Sequence, residues 1–222
     1  MCGRYSLSTP GDIVAELFGL TDLPDLVPRW NIAPTQQSAV VRADEGGARR
    51  LDLLRWGLVP GWAKDAAIGA RMINARSETA AEKPSFRTAL RRRRCLVLAD
   101  GFYEWQRTPD GKVPTRVQRR DGAPFALAGL WERWTRGPGP EPLETFTILT
   151  TAPNALLRPI HDRMPVILGR QDHALWLDSS VTEPAAVREL LAPCPPNDFE
   201  AFAVSRHVNS PRHDDPDCAA PV

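Results

Sequence analysis

Apolar residues along this chain gather in short runs set between turn-forming residues, and most of those runs predict strands. SAVVRA (38–43) and LDLLRW (51–56) flank Ala43-Asp44-Glu45-Gly46-Gly47, a hairpin-type turn. CLVLAD (95–100) reads as a buried strand, and GFYEWQR (101–107) continues into another. Asp110-Gly111 marks a turn, VPTRVQR, PFALAGLWERW and ETFTILTT (144–151) follow as strands, and FEAFAVS (199–205) closes the series. Helical patterns are fewer. Ser8-Thr9-Pro10 ahead of DIVAELFGL predicts a capped helix that stops at Gly19. Residues 78–91 read as helix broken near Pro84, and two later helices fall around 171–177 and 183–192.

Many closely spaced strands with few helices between them predict an α+β chain: one domain on an antiparallel, barrel-like folded sheet with peripheral helices. RGPGPEP (136–142) reads as a mobile surface loop rather than a domain linker. The domain is expected to span residues 1–210, followed by a polar, proline-rich and poorly ordered tail, PRHDDPDCAAPV (211–222).

Composition narrows the function classes. The 222 residues suffice for a substantial core, and 42% hydrophobic with 25% charged residues are ordinary globular values. No apolar run reaches membrane-span length and no signal-peptide core follows the N-terminus, so a soluble, intracellular (cytoplasmic) protein is expected. Cys2, Cys95, Cys194 and Cys218 are scattered without a CxxC pair, which suggests neither a zinc site nor a disulfide framework. No metal and no cofactor is expected. The net charge of +1 hides an asymmetry, because residues 1–120 carry a balance of +7 and residues 121–222 one of −6. Arginines outnumber lysines 25 to three, and a planar guanidinium bonds two phosphate oxygens at once. A basic face for a polyanion can therefore coexist with a neutral total.

The sharpest chemistry lies at residue 2. Removal of Met1 would leave Cys2 with a free α-amine beside its thiol, a 1,2-aminothiol that no internal cysteine offers. The two groups have unperturbed pKa values of roughly 7.7–8.0 and about 8.5, so both keep a reactive fraction near neutrality. The amine can form an imine with an aldehyde, and the thiol can close a thiazolidine. Alternatively, Cys2 is a buried cysteine that happens to follow a start codon. Taken singly, Asn74 reads equally as a turn or cap residue, Glu104 as a strand carboxylate facing solvent or paired with Arg, and His161 as a packed histidine.

Read in order, MCGRY, WNIAPTQ, WGLVP-x-W, INARSET, GFYEW, HDRMP and VSxxVN resemble the SRAP (SOS-response-associated peptidase) family of abasic-site processing proteins, from Cys2 to about Asn209. The resemblance implies the SRAP fold and a monomer whose partner is single-stranded DNA containing abasic sites. It implies that Cys2 captures the ring-opened aldehyde as a thiazolidine crosslink, that Asn74 orients the amine or a sugar hydroxyl, and that Glu104 and His161 move protons. It also makes Arg4, Arg76 and Arg163 candidates for flanking phosphates and Trp62 one for base stacking. AP-lyase activity and self-removal of Met1 belong to the same expectation. The rivals are an N-terminal-cysteine hydrolase, either a peptidase or a glutamine amidotransferase, and a non-covalent single-strand DNA-binding module.

Overall fold

A computed structural model describes residues 2–44, 46–137 and 141–222. Parts of the expected turn at 43–47 and loop at 136–142 lie outside the described residues, as does Met1. The elements run β1 (Tyr5–Leu7), α1 (Gly11–Phe18), β2 (Arg29–Ile32), β3 (Gln37–Ala43), β4 (Arg49–Trp56), β5 (Asn74–Arg76), α2 (Ser77–Ala80), α3 (Arg87–Arg92), β6 (Arg94–Ala99), β7 (Gly101–Thr108), β8 (Gly111–Arg119), β9 (Phe125–Trp134), β10 (Leu143–Thr151), β11 (Met164–Pro165), β12 (Ile167–Leu168), α4 (His173–Leu177) and β13 (Phe199–Ala203). No helix among the described residues is long and apolar enough to cross a membrane.

The fold is α+β, with two sheets. The larger closes on itself, because β10 pairs with β4 on one side and with β9 on the other, completing the ring β10-β4-β3-β6-β9. The smaller runs β13-β8-β7-β1-β2. The antiparallel expectation holds except on one flank of β10, where β4 and β5 both run parallel to it. Between them the chain leaves the sheet as a long excursion and rejoins the same edge of β10 two residues further along. Gly57 opens that excursion at φ +124°, and an added Cβ there would meet the Gly69 carbonyl oxygen at 2.6 Å.

The barrel interior is the main core. Trp56 stacks on Phe146 at 6.3 Å and meets Tyr5 edge-to-face at 5.0 Å. Gly129 on β9 is required there, since a Cβ would sit 2.7 Å from both Cys95 Sγ and Val97 Cγ2. A second, small cluster gathers Tyr103, Val204, Val208 and Cys218, with Trp30 and Trp105 packed against it.

Several local expectations change in the fold. Helix α1 ends at left-handed Gly19 as expected, but Ser8 and Thr9 do not cap it. Their hydroxyls and backbone N–H groups turn instead to the buried carboxylate of Asp100. The segment 183–192 forms only two short 3₁₀ turns, Pro184–Val187 and Glu189–Leu191. The arginine run that ends α3 and opens β6 is split between solvent and core. Arg91 and Arg92 are exposed, whereas Arg94 is buried and donates to the carbonyls of Leu90, Arg91, Trp176, Asp178 and Val181.

The tail is also packed rather than loose. Asp214 pairs with Arg29 and accepts the N–H groups of Trp30 at 2.6 Å and Asn31 at 2.9 Å. Asn31 Nδ2 donates in return to the carbonyls of Val208, Ser210 and His213. Paired N–H and carbonyl groups fix a backbone that composition alone would leave free.

Candidate active site

Cys2 lies just ahead of β1 and is fully buried in the main core. Strand β1 lies between β2 and β7, with Tyr5 opposite Phe102, and the Tyr103 N–H donates to the Arg4 carbonyl at 2.9 Å. That pairing fixes the start of the chain beside β7. Asn74 opens β5, which lies parallel to β10 with Asn74 opposite Ile148. Its Nδ2 donates to the Cys2 carbonyl at 2.8 Å. Its buried Oδ1 has no hydrogen-bond partner among the described residues.

Side chains on β7 alternate. Phe102 joins the main core, Tyr103 the second cluster, and Glu104 returns to the Phe102 side. Glu104 is only 2% exposed, which excludes the solvent-facing alternative. Burial, reinforced by the charge of Asp162, pushes its carboxyl from the ordinary 4.5 up to about 7. The Cys2 thiol is pushed up as well, first by burial and then by the Glu104 carboxylate.

His161 Nε2 lies 3.9 Å from Glu104 Oε2. His161 Nδ1 lies 3.0 Å from the Arg163 backbone nitrogen and 3.2 Å from the Arg163 carbonyl oxygen, contacts that suit opposite tautomers, while Nε2 faces Glu104. The exposed Asp162 carboxylate lies 2.9 Å from Nδ1, ready to receive an N–H when the ring protonates. Burial lowers the pKa of the imidazole, which favours the neutral form. Cys2, Asn74, Glu104 and His161 are thus brought together from four separate segments.

The cations expected to meet phosphate are placed differently. Arg163 is gripped by both oxygens of Glu78, at 2.6 and 2.8 Å, and donates to the Thr150 carbonyl. Arg4 donates to Asn31 Oδ1 and the Val208 carbonyl, each at 2.8 Å, and lies 5.7 Å from the Trp105 ring centre. Both have internal partners. Arg76 is exposed at the end of β5, opposite Thr150, and Trp62 is 51% exposed on the excursion after β4.

Sequence reading missed Arg107 and Arg158. With Trp105 they line a cleft of 590 Å³ that reaches His161 and Asp162. Arg158 precedes the proline of the PIHDRMP segment, the one local signal that could have drawn attention to it. A larger cavity of 700 Å³, lined by Phe18, Phe125 and His173, shares no residue with this site.

A family model described as SOS response associated peptidase (SRAP) matches residues 1–211. The chain belongs to the SRAP family. Among SRAP relatives, abasic site processing protein YoqW of Bacillus subtilis is 46% identical over 221 residues, covering 98% of each chain. Abasic site processing protein HMCES of Pongo abelii is 31% identical, covering all of this chain and 76% of that protein. A crystal structure of a Bacteroides thetaiotaomicron protein superposes with a TM-score of 0.89 at 27% identity, over the full length of both chains. One from Bordetella bronchiseptica gives 0.81 at 30%, covering 92% of this chain and all of that one. The SRAP fold is therefore shared across distant sequences.

Proposed function

We propose that this protein processes abasic sites in single-stranded DNA by covalent capture at Cys2, once Met1 has been removed. The observation that carries the reading is that the Asn74 amide holds the Cys2 carbonyl while a buried carboxyl that acts on the Cys2 thiol faces the His161 imidazole. In the proposed reaction the Cys2 amine adds to the C1′ aldehyde, water leaves, and the thiol adds across the imine. The net change is one new C–N bond, one new C–S bond and one water released.

Each neighbour has work in that sequence. A carboxyl poised near 7 can donate a proton to the departing water and accept one from the attacking groups. His161 Nε2 can exchange a proton with it across a short gap. Asn74 holds the Cys2 carbonyl and keeps a buried acceptor, Oδ1, for the incoming amine or sugar hydroxyl. Arg76, Arg107 and Arg158 are the exposed cations suited to flanking phosphates, and Trp62 and Trp105 offer ring faces to bases. In this reading Arg4 and Arg163 position the site through their internal partners.

The peptidase alternative has less support. A hydrolytic cysteine needs its thiol pKa lowered toward a resting thiolate, and burial moves Cys2 the other way. Capture of an imine requires no resting thiolate, because the proton can leave the sulfur as the new bond forms. Mixing the mature protein with an abasic single-stranded oligonucleotide is expected to give a species that survives denaturing electrophoresis, with none from Cys2→Ala. Free DNA alone in the wild-type lane would remove covalent capture from the account and leave the non-covalent module.

A further inference from the structure

The tail that closes the fold brings three dissimilar ligand groups together. Among the described residues, His207, Asp215 and Cys218 place a ring nitrogen, a carboxylate oxygen and Sγ all within 4.8 Å of one another. In sequence they read as H-x7-D-x2-C, a spacing that matches no familiar metal motif. Two short 3₁₀ turns, Arg206–Asn209 and Pro216–Cys218, create the proximity. Asp215 caps the second turn, and the turn carries Cys218 back beside it, where the Cys218 N–H donates to the Asp215 carbonyl at 3.0 Å.

The donors are individually oriented. Asp215 Oδ1 is occupied by the Asp217 N–H at 3.1 Å, which leaves Oδ2 2.9 Å from His207 Nε2. The His207 ring is stacked by His213 at 3.8 Å and 7°, and His213 Nδ1 donates to the His207 carbonyl. Such outer contacts fix ring orientation in metal sites. Cys218 is buried, while the His207 and Asp215 side chains are 32% and 45% exposed, so the cluster has a dry side and an open one. Asp214 and Asn31 anchor the surrounding backbone to β2.

We propose that His207, Asp215 and Cys218 form a site for a zinc-class divalent transition metal, with water in the fourth position, that braces the tail where Asp214 and Asn31 tie it to β2. Mixed N, O and S donors select this class over magnesium or calcium, which prefer oxygen alone. A neutral imidazole, a carboxylate and a thiolate together carry a charge of −2, which a divalent ion balances. Binding releases the Cys218 thiol proton to solvent and forms the metal–sulfur bond in its place. Tetrahedral coordination at usual bond lengths sets donor atoms about 3.5 Å apart, so a side-chain adjustment of roughly 1 Å closes the site. The ion would also stiffen the contact between Arg4 and the Val208 carbonyl, one residue from His207.

The test is a cobalt(II) titration of the full-length, chelator-stripped protein under reducing, anaerobic conditions. A thiolate-to-cobalt charge-transfer band and the strong visible bands of four-coordinate cobalt are expected, saturating at one equivalent and displaced by zinc. Cys218→Ser is expected to abolish the charge-transfer band. Asp215→Asn keeps the side-chain shape and the Asp217 bond, and is expected to weaken binding at least about tenfold. Cys2→Ala is expected to leave the titration unchanged, which separates this site from the proposed abasic-site chemistry. No band at stoichiometric cobalt, a band that survives Cys218→Ser, unchanged affinity in Asp215→Asn, or a band lost in Cys2→Ala would each overturn the proposal.

Discussion

Glu104 is the residue whose environment says most about chemistry. Its carboxyl holds a proton more tightly in the folded chain than in the unfolded one, about 7 against 4.5. Across that window the folded state carries more protons, so stability is fully present below the lower value and falls as pH rises toward the upper one. The loss contributed by this group is on the order of 3 kcal/mol, and Glu104→Gln is expected to remove it. Denaturant melts of both proteins at pH 5 and pH 8 check this; equal pH dependence in the two would contradict it. The same group sets the reaction's pH response. Glu104→Gln is expected to slow crosslinking on the order of 10²-fold, the scale of a lost general acid–base, while binding to abasic DNA changes little. Stopped-time denaturing gels and anisotropy measure the two separately, and an unchanged rate would make Glu104 structural.

Elements explain which parts of the site could be read from the residues. The strand GFYEWQR was legible as a strand, yet which face Glu104 took was not. That depends on β1 lying beside β7, a pairing between residues about a hundred positions apart in sequence. Asn74 was legible by resemblance, and only the parallel return beside β10 reveals that it reaches the Cys2 carbonyl. A run of four arginines carries no local sign of which one is buried, and for Arg94 it is α4 and the residues after it that bring carbonyl groups around the guanidinium. Arg94→Ala is expected to cost at least about 3 kcal/mol, because several buried carbonyls lose a charged donor together. A melting midpoint within a degree of wild type would show that water replaces it. The tail was misread too, since Asp214 meets backbone N–H groups far away in sequence that no local pattern displays.

At the scale of the whole molecule, the N-terminal half carries the positive balance and contributes most of the proposed site, including Cys2, Asn74, Arg76 and Glu104. Binding to single-stranded DNA is therefore expected to weaken as salt rises, with a log–log slope of about 0.7 for each phosphate contacted. Replacing Arg107 and Arg158 by Ala is expected to reduce that slope by about 1.4 in all, and an unaltered slope would remove the cleft beside His161 from the DNA path. The closed barrel, the covering strand β1 and the docked tail all hold the start of the chain in one place. That arrangement has a chemical purpose only if residue 2 ends in a free amine. Intact-mass spectrometry before and after exposure to abasic single-stranded DNA measures this directly. The account predicts a protein lighter by one methionine residue that then gains the oligonucleotide's mass less one water. Fully reactive protein that retains Met1, or a mature protein whose mass stays unchanged, would contradict it.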